Sequence, residues 1–157
     1  MTAEVRVRAA RAEEAAALSD LALRSKGHWG YPAEFLEACR AELTLTAQEC
    51  ASGDVLVAER DGVVLGFAAL GGTAPAGRLD ALFVDPPAIG TGVGRLLLEH
   101  ALAEACRRGF ATVTLDADPG AAPFYAKHGG VRTGTAPSGS IAGRDLPVFT
   151  FELDVAR

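Results

Sequence analysis

The sequence contains little of what several common protein classes require. Aromatic residues are 6% of its 157 residues, and it has 1 Met, 1 Trp and 3 Cys. Cys39, Cys50 and Cys106 are odd in number and have neither C-x-x-C spacing nor a nearby His, which argues against a disulfide framework and a structural zinc site. We predict no metal, and we interpret the three cysteines as small, partly buried apolar side chains.

Basic clusters and long apolar runs are also missing. No run of Lys or Arg is longer than Arg107-Arg108 and the net charge is −5, so we predict no binding of nucleic acid. The longest apolar stretch, Val63–Leu70, has the length of a strand and is far below the roughly 20 residues that cross a bilayer. Since Met1–Arg6 is not followed by an apolar segment, we predict no secretory signal, a cytoplasmic location and no membrane partner.

What is present favours one ordinary domain. Hydrophobic residues make up 49% of the chain and charged residues 22%, which is sufficient for a core and unlike the composition of disordered proteins. We therefore predict a single domain over residues 1–157 that folds alone and carries one active site.

Apolar spacing predicts strands interleaved with helices. Val93, Leu97, Ala101 and Ala105 recur every four residues, and Gly109 ends that helix. The predicted strands are Arg6–Ala9, Val55–Ala58, Val63–Leu70, Leu79–Val84, Thr112–Leu115 and Val148–Leu153. The predicted helices are Ala12–Leu23, a segment with Phe35, Leu36, Cys39 and Leu43 on one face, Val93–Arg108 and Ala121–His128. Thr44–Ser52 is interpreted as a helix end or turn and Gly71–Gly77 as a flexible connection. The fold class is therefore α/β, with a mixed sheet flanked by helices.

The glycine-rich segment Ile89–Arg95 lies between a predicted strand and the most regular helix. Glycines let backbone amides approach a ligand, and a helix N-terminus adds unpaired N–H donors, so the segment fits phosphate oxygens. The alternative is a turn whose glycines only allow close packing. A P-loop is excluded because the only lysines, Lys26 and Lys127, lie elsewhere.

A dinucleotide-binding motif is the second hypothesis for this segment. Gly90 and Gly92 match its first two glycines, and Asp116 lies near the end of the next predicted strand. The third small position falls on Arg95, however, and too little chain follows for a second nucleotide-binding half. This hypothesis stays open but ranks below the one that follows.

Three segments together resemble the GCN5-related N-acetyltransferase (GNAT) superfamily. Gly92 and Gly94 fit the small positions of its Q/R-x-x-G-x-G/A signature, with Ile89 in place of Gln or Arg. Leu82–Pro86 resembles the family's fourth strand and its exit. Ala121–Gly130 resembles its A-x-x-F-Y-x-x-x-G-F segment, with Gly130 in place of the final aromatic. The resemblance implies the acyl-CoA N-acyltransferase fold, acetyl-CoA as cosubstrate, and transfer of acetyl to a primary amine by direct attack in a ternary complex.

The resemblance also implies where acetyl-CoA binds. Main-chain groups of Leu82, Phe83 and Val84 would hold the pantetheine arm and polarise the thioester carbonyl, although a plain core strand is an alternative. The pyrophosphate would bind the amides of the glycine loop, namely Ile89, Gly90, Thr91, Gly92, Val93, Gly94 and Arg95.

Two residues are candidates for proton transfer. Tyr125 is the candidate acid, because a phenol can donate a proton to a departing thiolate; packing beside Phe124 is the alternative. Asp80 is the candidate base, with an exposed carboxylate as the alternative role. Asp85, Asp116 and His28 are further candidates for the base, and the amine could also arrive already neutral.

The resemblance places the acceptor beside Lys26–Tyr31, where His28, Trp29 and Tyr31 are candidate substrate-binding residues. Burial of these rings under the next helix is the alternative. Ser138–Arg144 is a second candidate wall, with an ordinary solvated loop as its alternative. We expect a small-molecule or peptide amine as acceptor and a possible homodimer. A non-catalytic acyl-CoA-binding module is the rival function.

Overall fold

A seven-stranded mixed sheet organises the chain. The computed structural model describes residues 4–138 and 143–153, and the strand order is β1-β2-β3-β4-β5-β7-β6. Only β4 and β5 pair in parallel among these strands, and all the other neighbours are antiparallel. The strands are β1 (Arg6–Ala9), β2 (Val55–Arg60), β3 (Val63–Thr73), β4 (Ala76–Val84), β5 (Thr112–Asp116), β6 (Val131–Pro137) and β7 (Asp145–Glu152).

Helices cover both faces of this sheet. They are α1 (Ala15–Gly27), α2 (Ala33–Leu43), α3 (Ala47–Ala51), α4 (Val93–Arg107) and α5 (Ala122–Lys127). Helix α4 packs on β2, β3 and β4, and α5 packs on β6 and β7, whereas α1 and α3 pack on β2, β3 and β4 from the other side. The predicted sheet with flanking helices is confirmed. No helix in the described ranges is both long and apolar enough to cross a membrane.

Strand β3 explains the longest apolar run of the sequence. Phe67 and Ala69 belong to the core under α1 and α3, while Ala68 and Leu70 belong to the core under α4. Because alternate side chains of a strand point to opposite faces, a strand buried on both faces is apolar at every position. The four-residue spacing of α4 has the matching cause, since its Leu97 is fully buried against the sheet.

Three segments differ from the sequence-based expectation. Thr44–Ser52, interpreted as a helix end or turn, contains the separate helix α3 with Thr46 as its N-cap. Gly71–Gly77 is not a flexible connection: β3 and β4 extend toward each other and pair Gly71 with Arg78. The missing side chain at Gly71 leaves room for its neighbours, because a Cβ there would collide with the carboxylate of Asp80. Strand β6 was not predicted, since Val131–Pro137 is almost wholly exposed and therefore has no apolar alternation to detect.

The parallel pair β4 and β5 separates soon after it forms. Pairing covers only Ala76–Arg78 against Thr112–Thr114. Beyond it, β4 keeps its partner β3 on one edge, and no strand within residues 4–138 and 143–153 pairs with the other edge. The Asp85 amide donates to the Leu65 carbonyl over 2.8 Å. In an antiparallel ladder every second residue bonds the partner strand, so Phe83, which lies opposite Phe67, also bonds β3. The main-chain groups of Leu82 and Val84 therefore face the gap.

Candidate active site

One cavity of about 1310 Å³ occupies this gap. It extends from the glycine loop before α4 to the segment that joins α1 to α2. Eight of the ten predicted cofactor-binding residues line it, and Thr91 and Val93 do not. The eight are Leu82, Phe83, Val84, Ile89, Gly90, Gly92, Gly94 and Arg95.

The glycine loop forms one end of the cavity. Gly90 and Gly92 have φ angles of 84° and 93°, the left-handed region that favours glycine, and nothing lies within 4 Å of the place where a Cβ would stand. Gly92 is the N-cap of α4, whose first-turn amides have no partner within the helix. The loop therefore presents N–H donors and the positive end of a helix dipole to open space, which fits an anion such as a diphosphate.

The free edge of β4 forms the middle of the cavity. Leu82 and Val84 direct their N–H and C=O groups into the gap, whereas Phe83 uses its own in pairing with β3. Unpaired main-chain groups at a strand edge bind an extended ligand as a further strand would. A pantetheine arm, which carries two amides, fits this edge.

Tyr125 lies where the gap meets α5. Its ring is 6% exposed and packs against Phe124 and Phe149. Its hydroxyl has no hydrogen-bond partner among the described residues. The hydroxyl oxygen is nevertheless accessible to solvent, and the residue lines the cavity. Burial raises the pKa of Tyr125, and the charge of Asp118 raises it further. The hydroxyl thus stays protonated at neutral pH and is free to donate to a ligand.

Two carboxylates flank the mouth of the gap. Asp80 lies two residues beyond Arg78 on β4 and Asp116 two residues beyond Thr114 on β5, so both follow the last paired residues of these strands. Asp80 forms an ion pair with Arg78 over 3.0 Å, and Asp116 has no ion pair among the described residues. Both residues line the cavity.

The other two candidates for the base stand outside the cavity walls. Asp85 is bound to Arg24 at 3.1 Å, and His28 packs edge to face on Trp29 with ring centroids 5.4 Å apart. Neither lines the cavity.

The far end of the cavity contains a charged cluster of Lys26, Tyr31, Asp118 and Arg144, of which sequence reasoning missed only Asp118. Asp118 accepts hydrogen bonds from the Tyr31 hydroxyl at 2.8 Å, from Lys26 Nζ at 3.3 Å and from the Gly120 amide at 2.9 Å. Arg144 donates to the Tyr31 oxygen over 2.7 Å. Burial raises the pKa of Asp118, but these donors outweigh it and hold the pKa below its ordinary value.

Of the three predicted substrate-binding residues, only Trp29 lines the cavity. Its ring lies over Gly120, where a Cβ would come within 3.0 Å of it. Tyr31 acts through Asp118 and Arg144, both of which line the cavity. Of the second candidate wall, positions 139–142 lie outside the described residues.

A protein-family model identifies the family to which the chain belongs. The model of the Acetyltransferase (GNAT) domain matches residues 51–129. The chain belongs to the GNAT family. It is an N-acetyltransferase, and the predicted membership, fold and enzyme class are confirmed. Acetyl-CoA is the cosubstrate of this family's reaction, which also confirms the predicted cosubstrate.

Solved structures of GNAT proteins share the fold over nearly the whole length. A GCN5-related N-acetyltransferase from Rhodopseudomonas palustris superposes with a TM-score of 0.78 at 29% identity, covering 98% of this chain and 97% of that one. The PaiA N-acetyltransferase from Thermoplasma acidophilum, in complex with coenzyme A, has a TM-score of 0.76 at 20% identity, covering 96% and 99%.

A curated relative matches a shorter segment. The peptidyl-lysine N-acetyltransferase YjaB of Escherichia coli is 53% identical over 51 residues, which are 32% of this chain and 31% of that protein. The match thus spans about a third of the relative's length.

Metal ligands are not grouped anywhere in the described ranges. No set of three or more His, Cys, Asp or Glu side chains there could hold a metal ion. Asp118, which sequence reasoning missed, had a local signal, because Asp-Pro-Gly is typical of a turn in which the Asp side chain accepts a hydrogen bond from the backbone N–H two residues on.

Proposed function

We propose that this GNAT enzyme transfers acetyl from acetyl-CoA to a primary amine by direct attack in a ternary complex. The observation that carries the proposal is the single cavity that joins a phosphate-type loop, a free strand edge and a charged far end. Direct attack is supported by the thiols, because a covalent relay needs an accessible thiolate beside a base. Cys39 is 2% exposed and Cys50 fully buried, and Cys106, which is partly exposed on α4, does not line the cavity.

When bound, acetyl-CoA supplies an activated thioester. The amides of Gly90, Gly92, Val93, Gly94 and Arg95 hold its diphosphate, with the positive end of α4 behind them. The Thr91 amide does not take part, because it donates to the Ala88 carbonyl. Leu82 and Val84 hold the pantetheine amides and present an N–H to the thioester carbonyl, where charge develops during attack. Phe83 contributes its side chain only, since its main chain is used within the hairpin.

Tyr125 stabilises the departing sulfur. An unperturbed phenol has a pKa near 10 and a thiol one near 8.5, so complete proton transfer from the phenol to the thiolate is uphill by about 2 kcal/mol. The raised pKa of Tyr125 increases that cost. We therefore assign Tyr125 a hydrogen bond to the developing thiolate, with complete proton transfer as a late event.

Asp80 and Asp116 receive the amine and its proton. A primary amine reaches the enzyme mostly as an ammonium ion, which binds a carboxylate and must lose a proton before it attacks. Asp80 shares its charge with Arg78, whereas Asp116 is unpaired among the described residues. The cavity therefore contains one carboxylate held in an ion pair, Asp80, and one without an ion pair among the described residues, Asp116.

Calorimetric titration together with a thiol-release assay tests the proposal. We expect saturable binding of acetyl-CoA, no binding of NADH, and release of coenzyme A that depends on an added amine. The amine panel includes a lysine-containing peptide, because the partial relative acts on peptidyl-lysine. Binding of NADH in place of acetyl-CoA would contradict the proposal, and so would burst kinetics from an acetylated enzyme.

A further inference from the structure

The acceptor end of the cavity holds more positive than negative charge within one packed cluster. Lys26 and Arg144 share the single carboxylate of Asp118, at 3.3 and 3.7 Å. All three side chains are largely buried, with exposures of 17%, 20% and 14% in the same order. Two cations around one carboxylate leave one partly buried positive charge, which is screened less by water and attracts an anion more strongly than a fully exposed charge does.

Most of the donors of these two cations are unused. A guanidinium has five N–H donors and an ammonium three. Arg144 donates to Tyr31 over 2.7 Å, and Lys26 donates to Asp118. No other described residue accepts from either. The side-chain nitrogens of Lys26 and Arg144 are not buried without a partner in the described ranges, and both residues line the cavity. Their unused donors are therefore accessible to a ligand.

The cluster is held rigidly from behind. The Arg144 guanidinium lies 5.1 Å from the Tyr31 ring centre and 4.8 Å from that of Phe35, and these two rings stack on each other at 4.2 Å. Contact with both rings restricts the movement of the guanidinium and so the direction of its donors. Such a preorganised fork matches a carboxylate, which can accept two N–H bonds side by side.

We propose that Lys26 and Arg144 form an anion subsite that binds a carboxylate of the acceptor, so that the acceptor is an amine of the amino-acid type. This inference rests on the proposed acetyl transfer. Asp116, two residues before Asp118 in the same cavity wall, is unpaired among the described residues and receives the ammonium end. A molecule that carries both charges therefore fits the far end of the cavity better than a diamine does.

Trp29 gives a direct signal for this subsite. It is the only tryptophan of the chain, it lines the cavity, and its ring lies over Gly120 beside the cluster. N-acetyl-L-leucine and N-acetyl-L-leucinamide are matched probes, because they resemble the product and differ only in the carboxylate. Titration of the full chain while Trp29 fluorescence is followed measures the affinity for each.

We expect the acid to bind at least about 10-fold more tightly than the amide, because hydrogen bonds to charged groups are the stronger ones. Arg144→Gln and Lys26→Met should each abolish most of this preference. Arg40→Gln is the control, since Arg40 is exposed on α2 and paired with Glu37 away from the cavity. Circular dichroism checks that each variant is folded, and two independent variants protect the test against the failure of one to fold.

The inference is overturned if the wild type binds acid and amide equally, if it responds to neither, or if folded variants keep the preference. An activity assay separates this inference from the proposed function. Acetylation of L-leucinamide as fast as L-leucine would leave acetyl transfer intact and remove the subsite. Selective binding of the acid without acetylation of any amine would keep the subsite and contradict the proposed function.

Discussion

Replacing Tyr125 by Phe removes one hydroxyl and leaves the ring that packs against Phe124 and Phe149. That hydroxyl has no protein partner among the described residues, so its loss leaves no unsatisfied group behind. A hydrogen bond to a charged group contributes about 1.5 to 3 kcal/mol, which is roughly a 10- to 150-fold change in rate. We expect kcat to fall within that range if Tyr125 stabilises the thiolate by a hydrogen bond.

Complete proton transfer in the transition state would cost more when removed. General acid catalysis contributes about 100- to 10,000-fold, so a loss beyond about 1000-fold would show that Tyr125 is a full acid. Because the pKa of Tyr125 is raised above its usual value near 10, kcat should also show no alkaline decline caused by this residue below about pH 10.

Three measurements on Tyr125→Phe separate these cases. Steady-state release of coenzyme A with an accepted amine gives kcat, calorimetry gives the Kd of acetyl-CoA, and thermal unfolding gives stability. We expect the Kd and the stability to stay close to those of the wild type. An unchanged kcat would remove Tyr125 from the mechanism, and a large loss of stability would show that its hydroxyl has a structural partner.

Three further predictions concern the loop, the carboxylates and an ion-pair network. Gly92→Asn should weaken acetyl-CoA binding at least about 10-fold, because its side chain fills the space in front of the α4 amides. Gly109→Asn is the control, since Gly109 has a similar φ of 84° but lies past the end of α4. Equal Kd values for the two variants would contradict the loop assignment. Asp116→Asn should lower kcat more than Asp80→Asn does, with an unchanged Kd for acetyl-CoA, and full activity of both variants would show that neither takes the proton. Two Arg side chains lower the pKa of Glu104 from 4.5 to about 2, so its carboxylate stabilises the fold above pH 4.5 and this contribution disappears as the pH falls toward 2. Thermal unfolding of Glu104→Gln should show a deficit of at most about 1 kcal/mol at pH 7 that vanishes at acid pH, and a deficit that persists at pH 2 would contradict this origin.

Local sequence patterns were sufficient to predict much of the fold and of the cofactor-binding end of the cavity. The four-residue repeat of α4 and the apolar run of β3 each follow from burial, which selects side chains one position at a time. The glycines at 90 and 92 could be interpreted because their conformations are rare for other residues. These signals needed no knowledge of which strands are neighbours.

The acceptor end depends on contacts that no local pattern reveals. Lys26 is 92 positions from Asp118, and Tyr31 is 113 positions from Arg144. Asp80 and Asp116 line one cavity because β4 and β5 are parallel neighbours that part beyond Arg78. The sequence could therefore name Asp80 and Asp116 as separate candidates, but their presence in one cavity needed the sheet topology.

The free edge of β4 is the central claim, and residue-resolved amide hydrogen exchange with and without coenzyme A tests it most directly. The account predicts that the amides of Leu82 and Val84 exchange rapidly in the free protein and become protected when coenzyme A binds. The amide of Phe83, bonded to β3, should be protected in both states. Leu82 and Val84 amides that exchange equally fast with coenzyme A bound would contradict the account.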